Sequence, residues 1–337
     1  MTNDQLRIGL IGTGRIGRVH AVNIAALPET TLSWVIDPFV AGAEAIAEPS
    51  GARATGDPDE AFASGELDAV VIASPTSTHA DLIKQAIEAG IPVLCEKPID
   101  LDIARVDELA PLVESSGVPF AVGFNRRFDR DFSAARDRLI AGEIGPLEQL
   151  SIISRDPAPP TVENLRTTGG IFRDQTIHDF DMARYFAPDI VEVFATGSQL
   201  FDDGARETND FDTAMVTMRT STGVQISITN SRHSAIGYDQ RIEVFGGQGM
   251  LEVANAGTSL VSCSNATAVK TTSPYQHFFL ERYAEAYVEE LREFCRLVRG
   301  FASRVSSFAD GRAALILADA AQTSAEEGRA VRVDLER

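Results

Sequence analysis

Short, continuous apolar runs punctuate the first third of the chain: Leu6–Ile11, Leu32–Ile36, Ala69–Ala73, Pro92–Cys95 and Phe120–Gly123. None alternates between apolar and polar positions, and unbroken runs of this kind predict strands covered by helices on both faces. Helical stretches lie between them, such as Ala80–Ala89, which Gly90 and then Pro92 bring to a stop. Strand and helix in alternation, joined by short links, predict a parallel, doubly wound sheet.

After Phe124 the pattern changes. Val224, Ile226 and Ile228 alternate with Gln225, Ser227 and Thr229, which predicts a half-buried strand with one apolar face. Similar strands are expected at Leu147–Ser154, Val191–Gly197, Asp212–Arg219, Arg241–Phe245 and Met250–Val253, with glycines such as Gly246-Gly247 and Gly249 as punctuation. This is the texture of an antiparallel sheet. Two helices are expected beside it, Glu281–Arg299, with Tyr287, Leu291, Phe294 and Val298 at three-to-four spacing, and Gly311–Ala325. The fold class is therefore α/β. A dinucleotide-type domain over residues 1–123 is followed, without an obvious linker, by a substrate-binding and oligomerisation α/β domain over 124–337.

A length of 337 residues suits two cores, and 44% apolar with 23% charged content is ordinary for globular chains. The net charge of −19 argues against a nucleic-acid partner, which needs a concentrated excess of Lys and Arg. Cys95, Cys263 and Cys295 are widely spaced and form no CxxC pair, so reduced thiols are expected rather than a disulfide framework or structural zinc. The first residues do not read as a secretory leader, and no stretch is long and apolar enough to span a membrane; a cytoplasmic, soluble protein is the expectation.

The first chemistry lies in Gly12-Thr13-Gly14-Arg15-Ile16-Gly17, directly after the strand ending at Ile11. In a dinucleotide fold Gly12 permits the tight turn, Gly14 lets backbone approach a pyrophosphate, and Gly17 allows close helix packing. The following helix offers free N–H groups and its positive dipole end. A lone GxGxxG is also compatible with a merely flexible turn. Here a strand precedes it, and Asp37 ends the next strand, twenty residues beyond Gly17. The Asp37 carboxylate suits ribose hydroxyls and repels a 2′-phosphate, and no Arg or Lys stands between Pro38 and Glu48, so NAD is expected rather than NADP.

Ser74-Pro75-Thr76-Ser77-Thr78-His79 follows the next parallel strand, where ligands meet the carboxyl ends of a doubly wound sheet; its hydroxyls are equally suited to capping the next helix. Glu96-Lys97-Pro98 ends a further strand. A lysine placed there can hydrogen-bond a reacting hydroxyl, or simply occupy an exposed turn. Further on, Asp174 and His178 are four residues apart, one turn on one helix face if the stretch after Gly170 is helical. A carboxylate beside an imidazole suits a general base in alcohol oxidation. Asp174, His178 and Asp181 as metal ligands, or as a solvated acidic face, remain alternatives at this point, although the first lacks a ligand from a second segment.

On these residues the chain resembles the glucose–fructose oxidoreductase/inositol dehydrogenase/rhizopine-catabolism (Gfo/Idh/MocA) family, and is similar to its inositol dehydrogenase members. The resemblance spans nearly the whole chain. It rests on the Gly12–Gly17 turn, Glu96-Lys97-Pro98, Gly123–Asp129, Ser154-Arg155-Asp156-Pro157, Gly169–Arg184, Asn230-Ser231-Arg232, Gly237–Arg241 and Phe279–Tyr283. It implies a Rossmann domain followed by an α/β domain with a large, mainly antiparallel open sheet, paired into dimers or a homotetramer. It also implies oxidation of a secondary hydroxyl of a cyclic polyol or sugar with NAD, a catalytic group of Lys97, Asp174 and His178, and a cis peptide before Pro98. Either Lys97 or His178 is left as the immediate base. Arg127, Asp156 and Tyr238 resemble positions that touch substrate hydroxyls alongside the catalytic three. The expected cofactor set is Gly12, Gly14, Arg15, Ile16, Gly17, Asp37, Ser74, Pro75, Thr76, His79, Glu96 and Lys97. Gln175 stands where a methionine is usual, Ile236 where an aromatic is common, and Gly246-Gly247-Gln248-Gly249 carries an unusual second glycine. These departures bear on the pocket, so the substrate order is myo-inositol, then scyllo- or chiro-inositol, then an aldose or sugar acid. Two rivals are an internally recycled NAD enzyme that epimerises or hydrolyses sugars, and a non-catalytic NAD-sensing regulator.

Overall fold

The computed structural model describes residues 5–335. It divides into two compact units: residues up to Asn125 together with Glu285–Ala313, and Arg126–Ala284 together with the chain from Ala314 onward.

The first unit is built on six parallel strands: β1 (Leu6–Ile11), β2 (Thr30–Ile36), β3 (Arg53–Thr55), β4 (Ala69–Ile72), β5 (Val93–Glu96) and β6 (Phe120–Gly123). Their order is β3-β2-β1-β4-β5-β6. The chain runs outward from β1 in one direction, then returns to start again at β4. The carboxyl ends of β1 and β4 therefore flank the crevice in which doubly wound sheets bind ligands. The expected strands are present, with β3 in addition. Ile8, Leu10, Val35, Val71 and Leu94 fill its core.

One segment departs from chain order. The helix expected over Glu281–Arg299 is two helices, Phe279–Arg282 and Ala284–Val298, separated at Tyr283. Leu291, Phe294 and Cys295 from the longer helix lie in the same apolar cluster as Ile8, Leu10, Ile24 and Val35. The packing unit thus takes in residues that the sequence assigned to the second domain, because the apolar stripe of that helix is buried on the parallel sheet.

The second unit centres on a seven-stranded sheet. Its strands are β7 (Leu147–Arg155), β8 (Ile190–Ser198), β9 (Thr213–Thr220), β10 (Gln225–Ser231), β11 (Asp239–Gly246), β12 (Gly249–Val253) and the short Val331–Arg332. The order is β12-β11-β7-β10-β9-β8 with Val331–Arg332 beyond β8. Only β7 and β10 run parallel; every other pair is antiparallel. One face is apolar and buried, including Leu150, Ile152, Val216, Ile226 and Ile228, and helix Thr176–Phe186 lies on it. The opposite face carries Phe194, Met215, Phe245 and Met250, each at least 39% exposed. All three cysteines are free thiols, with Cys95 and Cys295 buried. Among the described residues no helix is long and apolar enough to cross a membrane.

Trp34, the single tryptophan, is buried in β2 and reports on the first unit. Phe294→Ala should lower the denaturation midpoint followed by Trp34 fluorescence, at a cost of about 3–5 kcal/mol for the cavity. An unchanged midpoint would show that this helix is not part of the first unit's core.

Candidate active site

Two positions of the turn after β1 admit only glycine. Gly12 sits at φ +101°, and a Cβ there would lie 2.5 Å from the carbonyl oxygen of Ala73. A Cβ on Gly17 would lie 2.0 Å from the carbonyl oxygen of Gly12. Gly14 is different: it is exposed, and beyond its immediate chain neighbours no described atom lies within 4 Å of its would-be Cβ. Nothing in the protein requires glycine at that position, whereas close approach of a ligand to the backbone does. Gly14 also caps helix Arg15–Ala26 without a side chain to occupy the first N–H groups, leaving a donor set suited to pyrophosphate. Arg15 is exposed and Ile16 half-buried beside it.

Asp37 locks this turn to the end of β2. Its Oδ2 accepts from the Thr13 N–H (2.8 Å) and hydroxyl (2.7 Å), and its Oδ1 from the Phe39 N–H (2.8 Å). The carboxylate is held half-exposed beside the glycine turn, as a ribose acceptor requires. These residues fit a dinucleotide without a 2′-phosphate.

At the end of β4, the Ser74 and Thr78 hydroxyls are 2.6 Å apart, and Thr78 donates to the Pro75 carbonyl at 2.8 Å. Pro75 and Thr76 open the short 3-10 turn that leads into helix His79–Glu88. His79 itself is 1% exposed, with Nδ1 2.8 Å from the Pro98 carbonyl and Nε2 2.9 Å from that of Ser74. Both ring nitrogens are thus turned to backbone, so this histidine holds loops rather than offering an edge to a ligand. At the end of β5, Glu96 Oε1 meets Nε2 of buried His20 at 2.7 Å. Lys97 is half-buried, and its peptide to Pro98 is cis.

In the second unit Asp174 ends the short helix Ile171–Asp174, and His178 lies in helix Thr176–Phe186. The stretch after Gly170 is two helices that meet at Gln175, where the His178 N–H reaches the Gln175 carbonyl at 3.4 Å. Irregular turns of this kind recur at functional sites. Gln175 is buried, and its amide donates to the carbonyls of Ser154 and Ser231, fixing the irregularity to β7 and β10. Asp174 and His178 are half-exposed, while Gln175, Thr176, Ile177 and Asp179 around them are buried.

Behind them is a network of buried charge. Arg126 meets Asp179 at 2.5 Å and lies 3.4 Å from both the Ser154 and Tyr238 hydroxyls. Asn230 donates to the other Asp179 oxygen at 2.7 Å and accepts from Thr176 at 2.9 Å. Burial raises the Asp179 pKa, with Arg126, Asn230 and Ser154 opposing. Burial likewise pushes the Tyr238 phenol well up. The Asp156 carboxyl is pushed up to about 7, first by burial and further by Asp174 and Asp179, against the pull of Arg126 and Arg232. Arg232, fully buried, pairs with Asp210 at 2.6 Å and stands 4.0 Å from Asp174. Asp210 also receives the Ile171 N–H at 2.9 Å, so it anchors the start of the segment that carries Asp174. Arg127 grips Asp181 through two hydrogen bonds of 2.9 and 2.6 Å. Asp181 is thereby committed to a salt bridge, and no three His, Cys, Asp or Glu side chains form a metal-binding group among the described residues.

Arg126, Asp179, Asn230 and Arg232 were not singled out for a role from sequence. A signal did exist. Along β10 the inward phase runs Ile226, Ile228, Asn230, and along β7 Leu150, Ile152, Ser154; Asn230 and Ser154 are register partners, and Gln240 of β11 continues the row. A buried face that turns polar at the same end of three adjacent strands marks a place built for something other than packing. A separate open cavity of about 820 Å³ is lined by residues including Arg166, Gly170, Arg173 and Asp319, but by neither Asp174 nor His178.

Comparison with known proteins covers both units. Residues 6–124 match the GFO/IDH/MocA oxidoreductase family, NAD-binding Rossmann fold, and residues 132–252 match the GFO/IDH/MocA C-terminal domain. An inositol 2-dehydrogenase of Rhizobium meliloti (strain 1021) is 45% identical over 330 residues, covering 97% of this chain and 99% of that protein. The crystal structure of a myo-inositol dehydrogenase from Corynebacterium glutamicum ATCC 13032 superposes with a TM-score of 0.94 at 50% identity, covering 98% of this chain and 99% of that one. A scyllo-inositol dehydrogenase from Lactobacillus casei, solved with bound cofactor NAD(H) and scyllo-inositol, gives a TM-score of 0.90 at 28% identity over 98% and 99% of the two chains. The glycine turn and its acidic partner are thus seated in a chain that, over nearly its full length, belongs to the GFO/IDH/MocA family of NAD-binding oxidoreductases.

Proposed function

We propose that the protein is an NAD-dependent inositol 2-dehydrogenase, with myo-inositol its first substrate. The observation that carries the reading is the likeness, over 97% of the chain, to an inositol 2-dehydrogenase. The half-exposed pair Asp174 and His178, set on a buried hydrogen-bonded base, is the arrangement such chemistry needs.

Bound NAD supplies the hydride acceptor. His178 takes the proton of the reacting hydroxyl, and Asp174 favours the resulting imidazolium. Lys97 hydrogen-bonds the same oxygen and offsets the negative charge that develops there. Arg127, immobilised by Asp181, together with Asp156 and Tyr238, meets the remaining hydroxyls of an uncharged ring. Asp37 selects NAD over its 2′-phosphorylated form. The protein is further proposed to be a cytoplasmic homo-oligomer, a dimer or tetramer, joined through the exposed sheet face of Phe194, Met215, Phe245 and Met250. Light scattering that returns only monomer would remove that part of the reading.

A panel of inositols, pentoses and hexoses followed by NADH absorbance should give turnover with myo-inositol and NAD, and little with NADP. Lys97→Ala and His178→Ala should each lower kcat by about 10²–10⁴-fold while NAD affinity holds. NAD binding without NADH formation across the panel would point instead to a sensor.

Asp156 yields a prediction about pH. Its carboxyl keeps a proton up to about pH 7 in the folded protein, whereas an unfolded aspartate loses it near pH 3.9, or roughly 4. Between those values the folded state binds the extra proton, so this residue's contribution to stability falls as pH rises through that window. Asp156→Asn removes the effect. The melting temperature of the variant relative to wild type should be higher at pH 8 than at pH 5, and a pH-independent difference would contradict the shift.

A further inference from the structure

His79 joins two loops that the sequence keeps apart. Its ring lies between the carbonyl of Ser74, after β4, and that of Pro98, after β5, at 2.9 and 2.8 Å. The Ser74 side is anchored elsewhere as well. The Ala73–Ser74 backbone abuts Gly12, where a Cβ would come within 2.6 Å of the Ser74 nitrogen, and Thr78 hydrogen-bonds the Ser74 hydroxyl. Lys97 immediately precedes Pro98, so whatever fixes the Pro98 carbonyl also fixes the backbone from which the lysine extends.

We infer that His79 is a positioning residue for the reaction: its Nδ1–H donates to the Pro98 carbonyl and ties the Lys97 turn to the anchored Ser74 loop of the cofactor cradle. This rests on the reading of Lys97 as the partner of the reacting oxygen.

Carbonyl oxygens only accept, and a neutral imidazole carries a single N–H. The neutral ring therefore bonds one of its two carbonyls at a time, and only the imidazolium bonds both. Burial lowers the His79 pKa, outweighing the two carbonyls, Glu96 and Asp100, which favour the proton; Asp100 is itself paired with Arg105 at 3.2 Å. The neutral ring is thus the form present near pH 7, and its one N–H has to be committed. The Ser74 loop has other supports, so donation to Pro98 does more to order the structure. A displacement of about 1 Å in a reacting group can cost on the order of 10²-fold in rate, which is enough for a residue outside the chemistry to control turnover.

Asparagine and glutamine separate the two bonds, because their amide nitrogens fall near the positions of Nδ1 and Nε2 respectively. His79→Asn should retain kcat within about 3-fold, whereas His79→Gln and His79→Phe should lose roughly 10-fold or more, with KM for NAD changed by less than about 3-fold. Equal kcat in the Asn and Gln variants, or wild-type kcat in the Phe variant, would overturn the inference. Lys97→Ala separates this from the functional reading: if it keeps turnover, that reading fails, and if it loses turnover while the His79 series is flat, the inference alone fails. Should the variants not fold, ¹⁵N spectra of the wild-type imidazoles decide. A slowly exchanging proton on Nδ1 of His79 near pH 7 supports the inference, and one on Nε2, or on neither nitrogen, overturns it.

Discussion

The first unit depends on how closely helix Arg15–Ala26 approaches the turn that launches it. With the would-be Cβ of Gly17 only 2.0 Å from the Gly12 carbonyl, any side chain there would push the helix off the sheet. The helix start would then no longer lie beside the carboxyl ends of β1 and β4. Gly12 transmits the same constraint sideways, since it admits the Ala73–Ser74 backbone at a distance no side chain would allow. From that contact the structure runs through Ser74 and His79 to Pro98 and Lys97, and through Thr13 to Asp37. The positions of Asp37 and of the backbone beside Lys97 are thus tied to one tight turn.

The second unit solves a different problem, that of keeping two half-exposed groups in place at the end of an apolar sheet. The solution is to bury charge. Arg126 and Asp179 are almost wholly removed from water, and removing one partner of such a pair typically costs about 3–5 kcal/mol because the other is left uncompensated. The pair survives burial because Ser154, Asn230 and Tyr238 hydrogen-bond it, and Thr176 in turn donates to Asn230. Arg232 and Asp210 do the same beside Asp174. The Asp156 carboxyl lies beside this concentration of charge: burial raises its pKa most, Asp174 and Asp179 raise it further, and Arg126 and Arg232 pull it back.

What the sequence made legible follows from how local each signal is. β1 and β6 were readable to the residue, since an unbroken apolar run has one economical explanation. β3 was not, because Arg53-Ala54-Thr55 has no apolar run and becomes a strand only by pairing with β2. Gly12, Gly17 and Asp37 were readable because their roles are backbone geometry at fixed spacing. The Asp174–His178 spacing was readable too, but the break at Gln175 was not, for it depends on carbonyls of β7 and β10 that are distant in sequence. Likewise, nothing local says that Arg126 turns to Asp179 while its neighbour Arg127 turns to Asp181. The sequence places His79 in the cofactor set; the fold sets its ring between two backbone carbonyls.

The NAD chemistry of this family removes hydride from a carbon of a cyclic polyol as its hydroxyl is oxidised to a ketone. The most direct measurement follows the label from myo-inositol deuterated at carbon 2. Mass spectrometry of the nicotinamide product should find one deuterium per turnover transferred to it, and none released to water. Deuterium appearing in the solvent, or retained in the sugar product, would contradict the account.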